Sequence, residues 1–274
     1  MDFDTFDLDG VIVGTGLQLP NDGLVSAFPV YADAGPMLTM DTILDIAKSG
    51  ARRGRDRFDS SFIKDQNGFG ACQGFASAGA VTRARIRRGL TRVDLSGAYA
   101  YSLVNGGRDS GSQLESGMRA CAERGYASEA LVGNRSIYRG QYDTAKADAD
   151  AARYKAFEVY AVRTEIELFS ALALGFDCVV AVHANDGFMR LDSRGVAGGG
   201  QGRGNHSVSS DGLTFDRELI ADGYNSWAVR YGDAGRMGLT WNQHFANTTP
   251  YHVFYAIRSA TDDPSGENPP PVKE

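Results

Sequence analysis

Asp65-Gln66-Asn67-Gly68-Phe69-Gly70-Ala71-Cys72 is the stretch on which the reading of this chain turns. Its glycines allow a backbone to come close to another chain. Cys72 then opens a predicted helix over 72–88, with Phe75, Ala78, Thr82 and Ile86 along one face. A helix N-terminus stabilises a thiolate, so Cys72 stands in a reactive setting. A small buried hydrophobe would sit there equally well, and these eight residues alone leave both readings open. The other two cysteines read as core. Cys121 falls on the apolar stripe of a helix expected over 112–124, with Leu114 and Met118 and a stop at Gly125. Cys178 begins the apolar run Cys178-Val179-Val180-Ala181-Val182, a buried strand.

Outward from that stretch the chain divides unevenly. Residues 1–57 read as an N-terminal extension that docks or inhibits, with Gly-, Pro- and Asp-rich pieces up to Pro36. A short helix carrying Ile43, Leu44 and Ile46 follows, with Asp41 as its expected cap. The basic run 52–57 reads as an exposed turn. A third helix is expected over 165–174, ending at Gly175. After it come strand-like pieces around His206, at 225–229, at 239–241 and at 251–257. Helices first and strands later predict an α+β protein with segregated layers. The catalytic unit is placed at 58–260, and 261–274, with Pro269-Pro270-Pro271, reads as a flexible tail.

Composition narrows the function classes. The chain has 274 residues, 42% hydrophobic and 23% charged, enough to build a core without disulfides or metal. A formal charge of −6 argues against a nucleic-acid partner. No apolar run reaches the roughly 18 residues of a membrane span, and the acidic start Met1-Asp2-Phe3-Asp4 is unlike a secretory leader. Three widely spaced cysteines make neither a disulfide framework nor a zinc pattern. A reducing location, cytoplasmic or virion-associated, is therefore expected, and the Asn-x-Ser/Thr triplets at Asn134, Asn205 and Asn247 carry no glycan there.

The 65–72 stretch resembles the nucleophile segment of the papain-like cysteine peptidases, and the resemblance continues in the family's order. Gln66 stands six residues before Cys72. His206, in Gly204-Asn205-His206-Ser207-Val208, lies 134 residues after it, within the roughly 130–150 that separate this family's cysteine from its histidine. Asn225-Ser226-Trp227 follows 19 residues later, and then the glycine-rich turn Tyr231-Gly232-Asp233-Ala234-Gly235. The likeness spans about 58–241.

The resemblance implies a two-lobed α+β fold, a helical lobe led by the Cys72 helix and an antiparallel β lobe carrying His206 and Asn225. It implies a cysteine endopeptidase or related amide hydrolase working through a thioester acyl-enzyme, with no cofactor and no metal. Cys72 is then the nucleophile, His206 its acid/base partner in a thiolate–imidazolium pair, and Asn225 the residue that orients the imidazole. Gln66 becomes an oxyanion donor and Trp227 the shield over the histidine. Gly70 and the Asn105-Gly106-Gly107 triplet become the backbone that pairs with substrate. Phe69 and Val104 occupy positions where secreted members carry cysteines, and Gln73 stands where an aromatic residue is usual. The family's longer helical pro-segment is also missing. The substrate class is a peptide or protein amide, with peptidoglycan and isopeptide bonds open.

The alternative is a papain-fold structural or binding protein, for instance a virion component with an assembly partner. Two other motifs are decoys. Phe6-Asp7-Leu8-Asp9-Gly10-Val11 resembles the first motif of haloacid-dehalogenase-type phosphatases but lacks the later lysine-and-aspartate set, and reads as an acidic turn. Gly198-Gly199-Gly200-Gln201-Gly202-Arg203-Gly204 has dinucleotide-like glycines without a strand–turn–helix around them, and reads as a loop beside the site. His183, His244 and His252 lack metal-ligand spacing and read as structural. Arg83, Arg85, Arg87 and Arg88 read as favourable charge at a helix C-terminus.

Overall fold

The computed structural model describes residues 3–56 and 58–261. Arg57 of the basic run and the proline-rich tail beyond Thr261 lie outside the described residues.

The sheet is built from sequence whose alternate residues are apolar on both faces. Its six strands, all antiparallel, run in the order β3 (Ala156–Val162), β8 (Phe254–Ala260), β4 (Asp177–Val182), β5 (His206–Asp216), β6 (Glu218–Tyr224), β7 (Arg236–Thr240). The apolar run that begins at Cys178 is the most protected strand, every residue of β4 being buried. β4 pairs Val182 with His206 and Cys178 with Ser210, so the histidine heads the longest strand at the edge of the sheet's central pair.

Against this sheet lies α3 (Cys72–Arg87), which contacts β5, β8 and β4. Small residues on α3 allow close packing, and α4 (Gly97–Ser102) and α5 (Leu114–Arg124) pack onto its far side. α5 starts two residues later than expected and ends at Gly125, whose φ of 80° with ψ of −178° is a conformation open to glycine. α6 (Thr144–Ala151) was not anticipated, being alanine- and aspartate-rich without a strong apolar stripe. α7 (Glu165–Ala173) starts in a Thr164/Glu167 capping box and covers β4 and β5.

The N-terminal region has two parts. A hairpin of β1 (Thr5–Leu8) and β2 (Val11–Gly14) turns at Asp9-Gly10, where the sequence reads as an acidic turn. Its two aspartates, Asp7 and Asp9, are exposed. Then α1 (Tyr31–Ala34) and α2 (Met40–Ser49) pack into the main core, with Tyr31 and Ile43 fully buried. Thr39, not Asp41, caps α2, its hydroxyl accepting from the N–H of Thr42. Residues 31–49 are thus woven into the body, and only the piece before Pro29 lies over it.

Two strand-like pieces differ from expectation. The chain at 225–229 is a turn, not a strand: β6 stops at Tyr224 and Ala228 takes a φ of 59°. Trp241 opens one π-helical turn rather than ending β7. The arginines of α3 are also not solvated. Arg83 and Arg85 are 1% and 0% exposed, and Arg83 bonds Asp177 and Ser209 across the helix–sheet interface. An ion-pair layer buried between helix and sheet replaces the expected dipole-facing charge.

Candidate active site

Four segments converge at the N-terminus of α3. The loop before it is held by Asp109, whose carboxylate accepts from the N–H of Gly70 and from the Tyr101 hydroxyl, both at 2.9 Å. The 64–66 segment runs antiparallel to 226–228: the Gln66 N–H donates to the Ser226 carbonyl at 2.8 Å and the Ala228 N–H to the Lys64 carbonyl at 3.0 Å. That pairing ties Gln66 to the turn that carries Asn225 and Trp227. β5 brings His206 alongside, and the Ser207 N–H reaches the Cys72 thiol.

The histidine is oriented by two contacts. Its Nε2 lies 2.8 Å from Asn225 Oδ1. That oxygen also accepts from the Ser226 N–H at 2.8 Å, so the asparagine presents oxygen and Nε2 carries the proton. The indole of Trp227 stacks on the imidazole at 4.5 Å between centroids and 26° between planes. Stacking keeps water from the Nε2–Asn225 bond, which strengthens it in the lower dielectric. Nδ1 is left with no hydrogen-bond partner though buried. It holds the lone pair, and is the ring atom free to take a proton.

The geometry of the structure and of solved proteins agree. Xylellain, a cysteine protease from Xylella fastidiosa, aligns at a TM-score of 0.62 over 89% of this chain and 96% of its own, at 18% identity. The recombinant stem bromelain precursor aligns at 0.64, over 86% and 76%, at 22% identity. This is the papain-like fold. A third papain-like neighbour, the bromelain protease from Ananas comosus in complex with the E64 inhibitor, aligns at 0.59 over 72% and 93%, at 23% identity. No protein-family model and no curated protein sequence matches the chain.

Within this fold, His206, Asn225, Trp227 and Gln66 are linked to one another through Ser226 and the Gly14 carbonyl. Cys72, His206, Gln66 and Trp227 are all 0% exposed and Asn225 is 2% exposed. In the Asn105-Gly106-Gly107 triplet, Asn105 donates to the Ile137 carbonyl and accepts from the Gly107 N–H, closing a turn. Ser112, five residues further on, pairs through its backbone with Leu17. Among the described residues, no group of three or more His, Cys, Asp or Glu side chains is placed to hold a metal ion.

Two features depart from the expected thiolate–imidazolium pair. Burial pushes the Cys72 thiol up to about 12, against the lowering effect of backbone N–H groups of Ser207, Gln73 and Cys72 itself. Burial likewise pushes His206 down to about 4, against the raising effect of Asn225. Both groups are therefore neutral at pH 7. Gln66 also differs from its expected role: its amide N–H groups go to the carbonyls of Gly14 at 2.9 Å and Phe69 at 2.6 Å, while its Oε1 accepts from Ser226 at 2.6 Å. The Gln66 contact involves a neighbouring segment. Residues 14–18 lie across the site, and the Gly14 carbonyl also accepts from Trp227 Nε1 at 2.9 Å. Sequence gave no pattern for this segment, for Asp109 or for Ser226, whose roles rest on backbone and second-partner contacts.

A pH dependence follows from the neutral histidine. With a folded value near 4 against 6.5 unfolded, the unfolded chain binds the extra proton between those values. The stability held by neutral His206 is present above pH 6.5 and is lost as pH falls through 4. His244, also near 4, and His252, also lowered, act in the same sense. The urea midpoint is expected to fall steadily between pH 6.5 and 4. It should fall less in His206→Gln, and an unchanged slope in that variant would place the titration elsewhere.

Proposed function

We propose that the protein is a thiol hydrolase of peptide or protein amides, with Cys72 as nucleophile and His206 as its proton acceptor and donor. The observation that carries this is the oriented imidazole: Nε2 tied to Asn225, a tryptophan stacked on the ring, and a buried, unpartnered Nδ1, in a fold whose helix α3 opens at Cys72.

The steps use only these groups. Nδ1 of His206 takes the thiol proton, and the Cys72 sulfur attacks the scissile carbonyl carbon. The oxyanion is held by the Cys72 N–H and by the Gln66 amide once Gly14 has left it. His206 then gives its proton to the departing amine, leaving a thioester. Water, deprotonated by the same nitrogen, hydrolyses it. Asn225 keeps Nε2 protonated and aimed throughout. Ser226 acts through Gln66: its hydroxyl donates to Oε1 and turns the NH2 toward the oxyanion.

The test is hydrolysis of fluorogenic peptide amides under reductant, in the native chain and in Gly16→Val, in which residues 14–18 cannot seat. Cys72-dependent turnover in either protein supports the reading. Its absence from both, with Cys72 open to iodoacetamide in Gly16→Val, would sink it. Gln66→Ala in the active form is expected to lower kcat by about 10²–10³-fold, the usual loss for one oxyanion donor. A loss below threefold would remove Gln66 from the mechanism.

A further inference from the structure

We infer that Asp109 is a positioning residue for the nucleophile: segment 109–112 grips the chain on both sides of Cys72, and the Asp109 carboxylate sets the backbone that leads into it. The inference rests on the reading of Cys72 as the reacting group and deepens it.

The grip has two ends. Before the cysteine, Asp109 Oδ1 accepts from the Gly70 N–H at 2.9 Å. After it, the Gln73 side chain accepts from the Ser112 hydroxyl at 3.3 Å and donates to Ser77 Oγ at 3.1 Å. A Cβ on Gly117 would lie 1.6 Å from Gln73 Nε2, so the buried amide fills a place that only glycine leaves open. Between the two ends stands Tyr101, also fully buried. Its hydroxyl accepts from the Gly111 N–H and donates to Asp109 Oδ1, both at 2.9 Å. A Cβ on Gly70 would lie 3.1 Å from the Gly111 nitrogen, so the two segments meet backbone to backbone.

The need for a hold from outside the helix lies in the helix itself. α3 has Ala71 as its N-cap, a residue that offers no side-chain acceptor. A serine or aspartate there would take the N–H of the second or third helical residue for itself. Without one, the N–H groups of Cys72 and Gln73 reach the thiol. The Asp109 carboxylate binds one residue ahead of the cap, at Gly70, and leaves those donors free. An anion at that end is favoured by the helix dipole. An alanine cap frees the donors but fixes nothing, and Asp109 provides the missing fixture.

The hold bears directly on the reaction. Upstream, the loop turns through Asn67 and Gly68, both at positive φ, and the Gln66 amide closes it on the Phe69 carbonyl at 2.6 Å. Gly70 comes next, with one residue between it and Cys72. A rotation of the Gly70 peptide is therefore carried to the Cys72 N–H, the group that meets the oxyanion in the proposed reaction. A misplacement of about 1 Å costs up to roughly 10²-fold in rate. Burial first, and then the Asp109 charge, push the Tyr101 hydroxyl up, so it stays protonated and donates to the carboxylate. A charge on Cys72 adds to that shift, which puts the hydroxyl within electrostatic reach of the sulfur.

The experiment is steady-state hydrolysis of a fluorogenic peptide amide by Asp109→Ala and Asp109→Asn, each made in the native chain and in Gly16→Val. In whichever background turns over, Asp109→Ala is expected to lower kcat by roughly 10–100-fold with KM within about threefold. Asp109→Asn keeps an acceptor oxygen for Gly70 and should recover most of that loss. A loss of kcat below about threefold in Asp109→Ala, or a loss that Asp109→Asn does not recover, would overturn the inference. Should Asp109→Ala fail to fold, Tyr101→Phe decides: a kcat lower by about threefold or more at steady KM supports the grip, and a native kcat overturns it. If neither background turns over, the hydrolase reading fails on its own account, and deuterium uptake at the Gly70 amide judges the grip. Uptake about tenfold faster in Asp109→Ala than in the native chain then supports it, and equal uptake overturns it.

Discussion

His206→Ala is expected to lower turnover by about 10²–10⁴-fold when measured in the Gly16→Val background, the range for losing a positioned acid–base group. The loss should fall on kcat, because His206 acts on protons in flight and makes no main-chain contact that a bound peptide would need. The same variant carries a second readout. With residues 14–18 displaced, water is expected to reach the thiol and the imidazole, relieving the desolvation that holds Cys72 up near 12 and His206 down near 4. Alkylation of Cys72 should then be fast near pH 6 and should revert, without His206, to the profile of an ordinary thiol rising toward about pH 8.5. A variant that keeps turnover within threefold, or whose alkylation profile does not move, would dismiss His206 as the partner of Cys72.

The second large effect concerns stability. Asp177 is fully buried at the start of β4 and takes Arg83 Nε on Oδ1 at 3.0 Å and Arg87 on Oδ2. Arg83 in turn donates to Ser209 at 2.7 Å and lies over the Tyr224 ring, 4.2 Å from its centroid. Asp177→Ala would leave two cations between α3 and the sheet without their main counter-charge. Breaking a buried pair in this way costs about 3–5 kcal/mol, because the remaining charge stays desolvated. Urea unfolding should show the loss with little change in slope. A loss below about 1 kcal/mol would mean that Asp211, 3.9 Å from Arg87, takes over the pairing.

Much of this site was legible because its chemistry fixes residue type and order. Cys72 opens a helix behind glycines, His206 precedes an apolar strand, and Asn225-Ser226-Trp227 follows at a short interval; each is a local signal. The pairing of Gln66 with Gly14, 52 residues apart, and of Trp227 with Gly14, 213 apart, has none. Backbone donors and acceptors are the same at every residue, so a strand laid across a site leaves no side-chain pattern. That is also why Ser112, paired with Leu17, drew no attention: the contact is main-chain, and a serine carries it as well as any residue. The arginines of α3 were legible only in part. Arg85 and Arg87 do lie in the last turn, but only the position of Asp177 on the facing strand reveals that Arg83 is interior. In the N-terminal region, Gly, Pro and Asp hid the fact that Tyr31 and Ile43 each fill a core position.

The partners of residues 14–18 also set a timetable for biosynthesis. Residues 14–18 leave the ribosome early, yet Asn205 and Trp227, which hold them, come near the end. α1 and α2 wait as well: Ala32 and Leu38 donate to Glu167 and Ser170, more than 130 residues later. At about 5–20 residues per second, that interval is roughly 7–26 s during which the early chain has no native place to go. Cys72 is likewise made well before His206, and the contacts of residues 14–17 with Asn205 and Trp227 become available only once the chain has passed Trp227.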